Sequence, residues 1–335
     1  AGASWTRVTG DASWSKRCGH VAVVLPNGDI LVMGGRHDGS GPVTNDVWRS
    51  SDAGATWTCV TSSAEWSKRD GHAAVVLPNG DILVMGGWDD PSGFVNDVWR
   101  SSDAGATWTC VTGAAPWRKR RGHVAVVLPN GDILVMGGSD VRNRLNDVWR
   151  SSDAGTTWTR VMSSAPWSER SGHAAVVLPN GDILVMGGVG NCYRNDVWRS
   201  SDAGATWTRV TSSAPWSKRY EHAAVVLPNG DILVMGGRDG GTRFNDVWRS
   251  SDAGATWTCV TGAAPWSKRS SHAAVVLPND DILVMGGFDD SRFNDVWRAS
   301  TGVSVEALRG IDSGGVPQGG AGGGAGAGAG ASATT

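Results

Sequence analysis

Hydrophobic positions along the chain fall in short continuous runs, and no stretch shows a helical period. The run at 21–25, Val-Ala-Val-Val-Leu, is followed by Pro26-Asn27-Gly28-Asp29 and a second run, Ile-Leu-Val-Met, at 30–33. Such unbroken apolar runs suit strands covered on both faces, and Asn-Gly supplies the positive φ angles of a tight hairpin. Gly34-Gly35 ends the second run; a variable loop then leads to a third strand at 45–49 and a fourth at 57–61. The whole order recurs six times. The histidine that opens each unit stands at 20, 72, 123, 173, 222 and 272, at spacings of 49 to 52 residues. A period of that length marks a repeat array, and four-stranded units that need cover on both faces pack around an axis. The predicted fold is therefore all-β: a six-bladed β-propeller of four-stranded antiparallel blades. The last unit lacks its fourth strand, while Ser4-Trp5-Thr6-Arg7-Val8-Thr9 matches Thr206-Trp207-Thr208-Arg209-Val210-Thr211. The N-terminal strand is expected to complete the last blade and so remove an open edge. On this reading residues 1–303 are one propeller domain and 304–335 a flexible Gly/Ala-rich tail.

Composition sharpens this picture and narrows the function. The chain of 335 residues has 19 Trp against four Phe and two Tyr. Eighteen of the Trp are three per unit in six units, which leaves Trp88, in a variable loop, as the one outside the pattern. A net charge of −2 argues against a dedicated nucleic-acid-binding protein, and 40% hydrophobic residues support a core. No apolar run approaches the roughly 18 residues of a membrane-spanning helix. The first residues carry no secretion-signal pattern, although a leader removed beforehand would leave the same start, and the compartment stays open. Cys59, Cys110 and Cys259 occupy equivalent outer-strand slots of different units, and Cys18 and Cys192 lie in units far apart. No disulfide is expected, because equivalent slots lie beyond the roughly 7 Å Cα limit for bridging.

Arg17-Cys18-Gly19-His20, Gly34-Gly35, Asn45-Asp46-Val47-Trp48 and Trp57 resemble the successive signatures of a kelch repeat, and the likeness recurs through all six units. Ser50-Ser51-Asp52-Ala53-Gly54-Ala55-Thr56-Trp57 is similar to the Asp-box of sialidases; five copies are complete and the sixth is split between the chain ends. The resemblance implies a scaffold element, in which Ser50 and Asp52 bond turn amides, Gly54 takes unusual dihedrals and Trp57 packs on the blade.

Up-and-down blades place their connections on alternate faces. One face carries the monotonous Pro-Asn-Gly-Asp turn and the Asp-box turn. The other carries the loops 36–44, 88–95, 139–145, 189–194, 238–244 and 288–293, together with inter-blade segments that vary at Cys18, Asp70, Arg121, Ser171, Tyr220/Glu221 and Ser270/Ser271. Variation concentrated on one face of a repeating scaffold points to a binding surface. That face has 20 Lys/Arg against 12 Asp/Glu before the six Asn-Asp-Val-Trp aspartates are counted; the opposite face has six arginines against 12 aspartates.

The candidate contacts are Arg36, His37 and Asp38 in the first unit and Trp88, Asp89 and Asp90 in the second. They continue with Arg142 and Arg144 in the third and Tyr193 and Arg194 in the fourth. Tyr220, Glu221, Arg238 and Arg243 follow in the fifth, and Phe288 and Arg292 in the sixth. The inter-blade Trp14, Trp66, Trp117, Trp167, Trp216 and Trp266 are expected to pack between blades. His20, His72, His123, His173, His222 and His272 cannot share one ion across blades packed about 10 Å apart. Each is expected to bond backbone at the start of the innermost strand. They would stand at the channel mouth, with Arg17, Arg69, Arg120, Arg170, Arg219 and Arg269 forming an anion-attracting entrance. The favoured function is non-enzymatic binding of a protein partner by a monomer, with neither cofactor nor metal. The alternatives are a glycan-binding module and, after it, a galactose-oxidase-like or sialidase-like enzyme.

Overall fold

A computed structural model describes residues 4–37 and 43–300; Asp38 and the predicted tail lie outside the described residues. The chain forms six antiparallel blades. We number them by their innermost strands: Val21–Val24, Ala73–Val76, Val124–Val127, Ala174–Val177, Ala223–Val226 and Ala273–Val276. In blade 1 the second strand is Ile30–His37, the third Val43–Ser50 and the outer one Thr58–Thr61. Val21 sits opposite Met33, Val32 opposite Trp48, and Trp48 opposite Cys59. The N-terminal strand Thr6–Thr9 pairs antiparallel with Val296–Ala299, placing Thr6 opposite Arg298, and so completes blade 6 as expected. Trp5 meets Trp266 edge-on at 5.9 Å. No helix among the described residues is long and apolar enough to cross a membrane.

The second strands explain why their sequence is unbroken: Ile30, Leu31, Val32 and Met33 have no exposed surface, because each face packs on a different neighbour. Leu31, Met33 and Val47 of blade 1 share a core cluster with Ile82 and Val84 of blade 2, and Trp66 fills the seam. The six inter-blade tryptophans are at most 1% exposed, and Trp14 stands edge-on to Trp57 at 5.9 Å, the arrangement the ring quadrupoles favour. Close approach requires Gly34-Gly35. A Cβ on Gly34 would lie 2.8 Å from His72 Cε1, and one on Gly35 2.8 Å from His20 Cβ.

Polar groups of the scaffold are paired internally. The Arg17 guanidinium donates to both carboxylate oxygens of Asp46, at 2.8 and 2.7 Å, and to the Gly34 carbonyl at 2.9 Å. The same bidentate pair joins Arg69 to Asp97, Arg120 to Asp147, Arg170 to Asp196, Arg219 to Asp246 and Arg269 to Asp295. All six arginines are fully buried. This corrects the expected anion-attracting entrance: the guanidinium groups point into the blades, where desolvation is offset by bidentate pairing. In the Ser50–Trp57 turn, the Gly54 amide donates to Ser50 Oγ (2.8 Å) and the Thr56 amide and hydroxyl donate to Asp52 (2.8 and 2.6 Å). On the same face Arg49 pairs with Asp29, and the corresponding arginine and turn aspartate pair in every other blade.

Candidate functional site

The residue before each Gly-His step is drawn across to the residue after Gly-Gly. Cys18 pairs with Arg36, Asp70 with Trp88, Arg121 with Ser139, Ser171 with Val189, Tyr220 with Arg238 and Ser270 with Phe288. The two variable segments of each blade are therefore cross-strand neighbours. The sequence showed both as variable, but the partners stand 18 positions apart in every blade, and nothing local reveals that they pair.

Just inside these pairs, six peptide groups close a hydrogen-bonded ring. The amides of Gly71, Gly122, Gly172, Glu221, Ser271 and Gly19 donate, each to the carbonyl of the preceding blade's equivalent residue, at 2.7 to 2.9 Å. All six residues hold left-handed dihedrals; Glu221 (φ 54°) and Ser271 (φ 53°) do so without being glycine. Around the ring lies a cavity of about 920 Å³. Its wall includes Arg36, Arg142, Arg144, Tyr193, Tyr220, Glu221, Arg238 and Phe288 of the sequence-derived candidates. Cys18, Asp70, Arg121, Asp140, Val141 and Asn143 also line it and were not among those candidates; their place in the variable segments was the available signal.

Three clusters join blades across the rim. Arg36 donates to Asp70 at 2.8 Å and lies 4.7 Å over the Trp88 ring, so one face of Trp88 is covered by a guanidinium from blade 1. Tyr193 and Tyr220 stack at 5.4 Å, 7° from parallel; Arg238 lies 4.6 Å over Tyr220 and pairs with Glu221 at 2.9 Å. Phe288 lies beneath both Arg243 (4.6 Å) and Arg292 (5.5 Å); Arg243 also pairs with Asp289 at 3.1 Å, and Arg292 Nε donates to Cys18 Sγ at 3.3 Å.

Other candidates stand apart from the cavity wall. His37 lies opposite Arg17 at the end of a second strand, Asp89 lies opposite Arg69, and Asp90 is exposed beyond it. Arg194 has a backbone duty: its amide donates to Gly188 and its carbonyl accepts from Arg219, both at 2.9 Å.

The histidines reach the cavity rim in five blades, but their residues are only 4 to 7% exposed. Each ring is wedged against the first glycine of the preceding blade's pair, as His72 is against Gly34 and His20 against Gly286. The ring nitrogens of His123, His173, His222 and His272 have no hydrogen-bonding partner among the described residues, so in those four the expected backbone bond is replaced by packing, whereas His20 and His72 keep a backbone hydrogen bond, with Met285 and Met33. Burial, with the adjacent buried arginine, pushes His20, His123 and His222 down to about 3 and keeps them neutral.

Comparison with known proteins agrees with this architecture. The model of the DUF6242 beta propeller domain matches residues 182–302. The flagellar outer arm dynein alpha chain of Chlamydomonas reinhardtii is 32% identical over 128 residues, 36% of this chain. The chain spans only 3% of the length of that curated relative. The model of the KLHDC2/KLHL20/DRC7 Kelch-repeats domain matches residues 19–229. With that match across more than half its length, and six blades each carrying the buried arginine–aspartate pair and the Gly-Gly seam, the chain belongs to the kelch-repeat β-propeller family.

Proposed function

We propose that the chain is a non-enzymatic binding propeller that takes up a protein partner through its variable face, with the 920 Å³ cavity as the centre of the contact. The observation that carries this reading is the division of labour among polar groups. Repeat-invariant arginines and aspartates are consumed inside the scaffold, whereas the residues that differ between blades converge as cross-strand pairs on one rim. Arginine and aromatic side chains are the usual anchors of protein interfaces, and Arg36, Arg142, Arg144 and Arg238 line the cavity with Tyr193, Tyr220 and Phe288. The Ser50–Trp57 turn, read as a sialidase-type Asp-box, serves as scaffold, because Ser50 and Asp52 spend their oxygens on its own amides and hydroxyls.

A glycan ligand is the second reading, and the tyrosine pair bears on it. Sugar rings stack on free aromatic faces, but Tyr220 has Arg238 on one side and Tyr193 on the other, which favours a protein partner. An oxidase-like or glycosidase-like enzyme stands behind both.

Replacing the six variable loops with one common loop should abolish capture of the partner from an extract of the source organism, while the thermal midpoint stays near that of the parent. Capture unchanged by the replacement overturns the proposal. Binding to a glycan array with no protein captured would transfer the site to the second reading, and turnover with a bound metal to the third.

A further inference from the structure

Charge on the variable face is unevenly shared among blades. The inter-blade segment and loop of blade 3 bring Arg118, Lys119, Arg121, Arg142 and Arg144 against a single carboxylate, Asp140, once the buried Arg120–Asp147 pair is set aside. Blade 2, its neighbour, is acidic there, with Asp70, Asp89 and Asp90. Most rim arginines already have partners: Arg36 and Arg121 reach Asp70, Arg118 reaches Asp140, Arg238 reaches Glu221 and Arg243 reaches Asp289. Arg142 and Arg144 differ. Both are exposed, and neither side chain meets a carboxylate among the described residues.

Between Asp140 and these arginines stands Val141. It is 78% exposed, and among the described residues it is the one large apolar side chain left open to solvent. The loop that presents it is locked. Asp140 Oδ1 accepts from the amides of Arg142 (2.7 Å) and Asn143 (2.6 Å), its other oxygen accepts from Arg118 (2.9 Å), and its own amide donates to the Asn143 carbonyl (2.9 Å). A tight turn held by four hydrogen bonds surrenders little conformational entropy on binding. It displays one apolar side chain close to two uncompensated guanidinium groups at the edge of the cavity.

We infer that the 140–144 turn of blade 3 is the anchor point for an acidic protein segment in which an apolar residue lies between carboxylates. Arg142 and Arg144 take the carboxylates as charge-assisted, bidentate pairs, and Val141 packs on the apolar residue. This assignment rests on the protein-binding reading above and narrows it to one blade and one partner chemistry.

The test uses the full chain and two labelled probe peptides, one alternating Glu and Leu and one of Glu and Gly, both read by fluorescence anisotropy. The Glu/Leu peptide should bind, and its affinity should fall at least tenfold in Arg142→Glu/Arg144→Glu. Val141→Ser, which removes the apolar surface without adding charge, should weaken the Glu/Leu peptide severalfold and leave the Glu/Gly peptide nearly unchanged. Reversing two exposed arginines of the outer strands, Arg160→Glu/Arg209→Glu, should leave both affinities within twofold. Equal losses in the outer-strand variant overturn the assignment, as does tighter binding of a heparin oligosaccharide or of single-stranded RNA than of the Glu/Leu peptide. Self-association that Arg142→Glu/Arg144→Glu abolishes also overturns it, because the occupant would then be a second copy. If loop replacement abolishes partner capture while Arg142→Glu/Arg144→Glu does not, this assignment fails and the variable-face reading stands. If capture survives loop replacement, the broader reading has failed.

Discussion

Ser271 and Asp280 hold φ angles of 53° and 67° at positions where most copies of the repeat carry glycine. An L-residue in this region brings its Cβ against its own backbone, at a cost of roughly 1–2 kcal/mol. Ser271→Gly and Asp280→Gly should therefore each stabilise the propeller by about 1 kcal/mol, less whatever the extra freedom of the unfolded chain removes. Urea midpoints with an unchanged m-value would verify this, and a loss of stability in both variants would show that their side chains make contributions larger than the strain. Glu221 has the same strain (φ 54°) but sits in the tyrosine–arginine cluster, where its carboxylate holds Arg238. Strained residues of this kind collect at functional sites, which places Glu221 apart from Asp280, a turn residue on the opposite face.

At the scale of single strands, closure depends on five residues, Trp5 and the strand Thr6–Thr9. Thr6–Thr9 covers the edge of Val296–Ala299, and Trp5 caps the seam beside Trp266. Deleting residues 1–9 uncovers that edge and an apolar seam together, so the truncated chain should unfold at lower temperature and aggregate as it does so. Trp5→Ala should reproduce part of the loss, about 3 kcal/mol for a large aromatic taken from a core. Differential scanning calorimetry distinguishes the two, and an unaltered midpoint in the truncated chain would contradict the role given to this strand. This closure was legible in the sequence because Trp5–Thr9 follows the Trp-Thr-x-Val pattern of every other outer strand, as were the blades, whose apolar runs recur in register with their turns. The burial of Arg17 was not legible: its partner Asp46 lies 29 residues away on another strand, and a basic residue beside a variable position reads as surface. The rim pairs were hidden for the same reason. Cys18 and Arg36 meet only because the second strand runs past Gly-Gly and picks up the inter-blade segment.

For the molecule as a whole, six buried neutral histidines set the response to acid. Each has its folded-state value depressed below 6.5, to about 3 where a value is resolved, with burial the leading cause. The unfolded chain therefore takes up protons first. The stabilisation is complete above pH 6.5 and is lost as pH falls from there towards 3, at up to about 1.4 kcal/mol per pH unit for each histidine. Asp52 and its equivalents are held below 3.8; burial, the largest single influence, opposes this, but the hydrogen bonds from Thr56 or its counterpart and from the box serine together outweigh it, so their contribution fades only under stronger acid. Denaturant midpoints measured from pH 7.5 to 4 should thus fall steeply well before the carboxylates titrate, and His173→Gln should flatten the slope by about one proton in six. A midpoint constant down to pH 4 would mean that the histidines charge without unfolding the blades. The ring of six peptide hydrogen bonds at the channel mouth has a consequence of another kind. Units this alike invite recombination that adds or removes a whole copy, and the seams, identical from blade to blade, offer no means of telling five or seven from six. The ring does: its donors and acceptors meet at 2.7 to 2.9 Å only for one angular step, so gaining or losing a unit would break every link together. It acts as a tally, fixing copy number through the geometry of the backbone where the side chains of the repeat cannot.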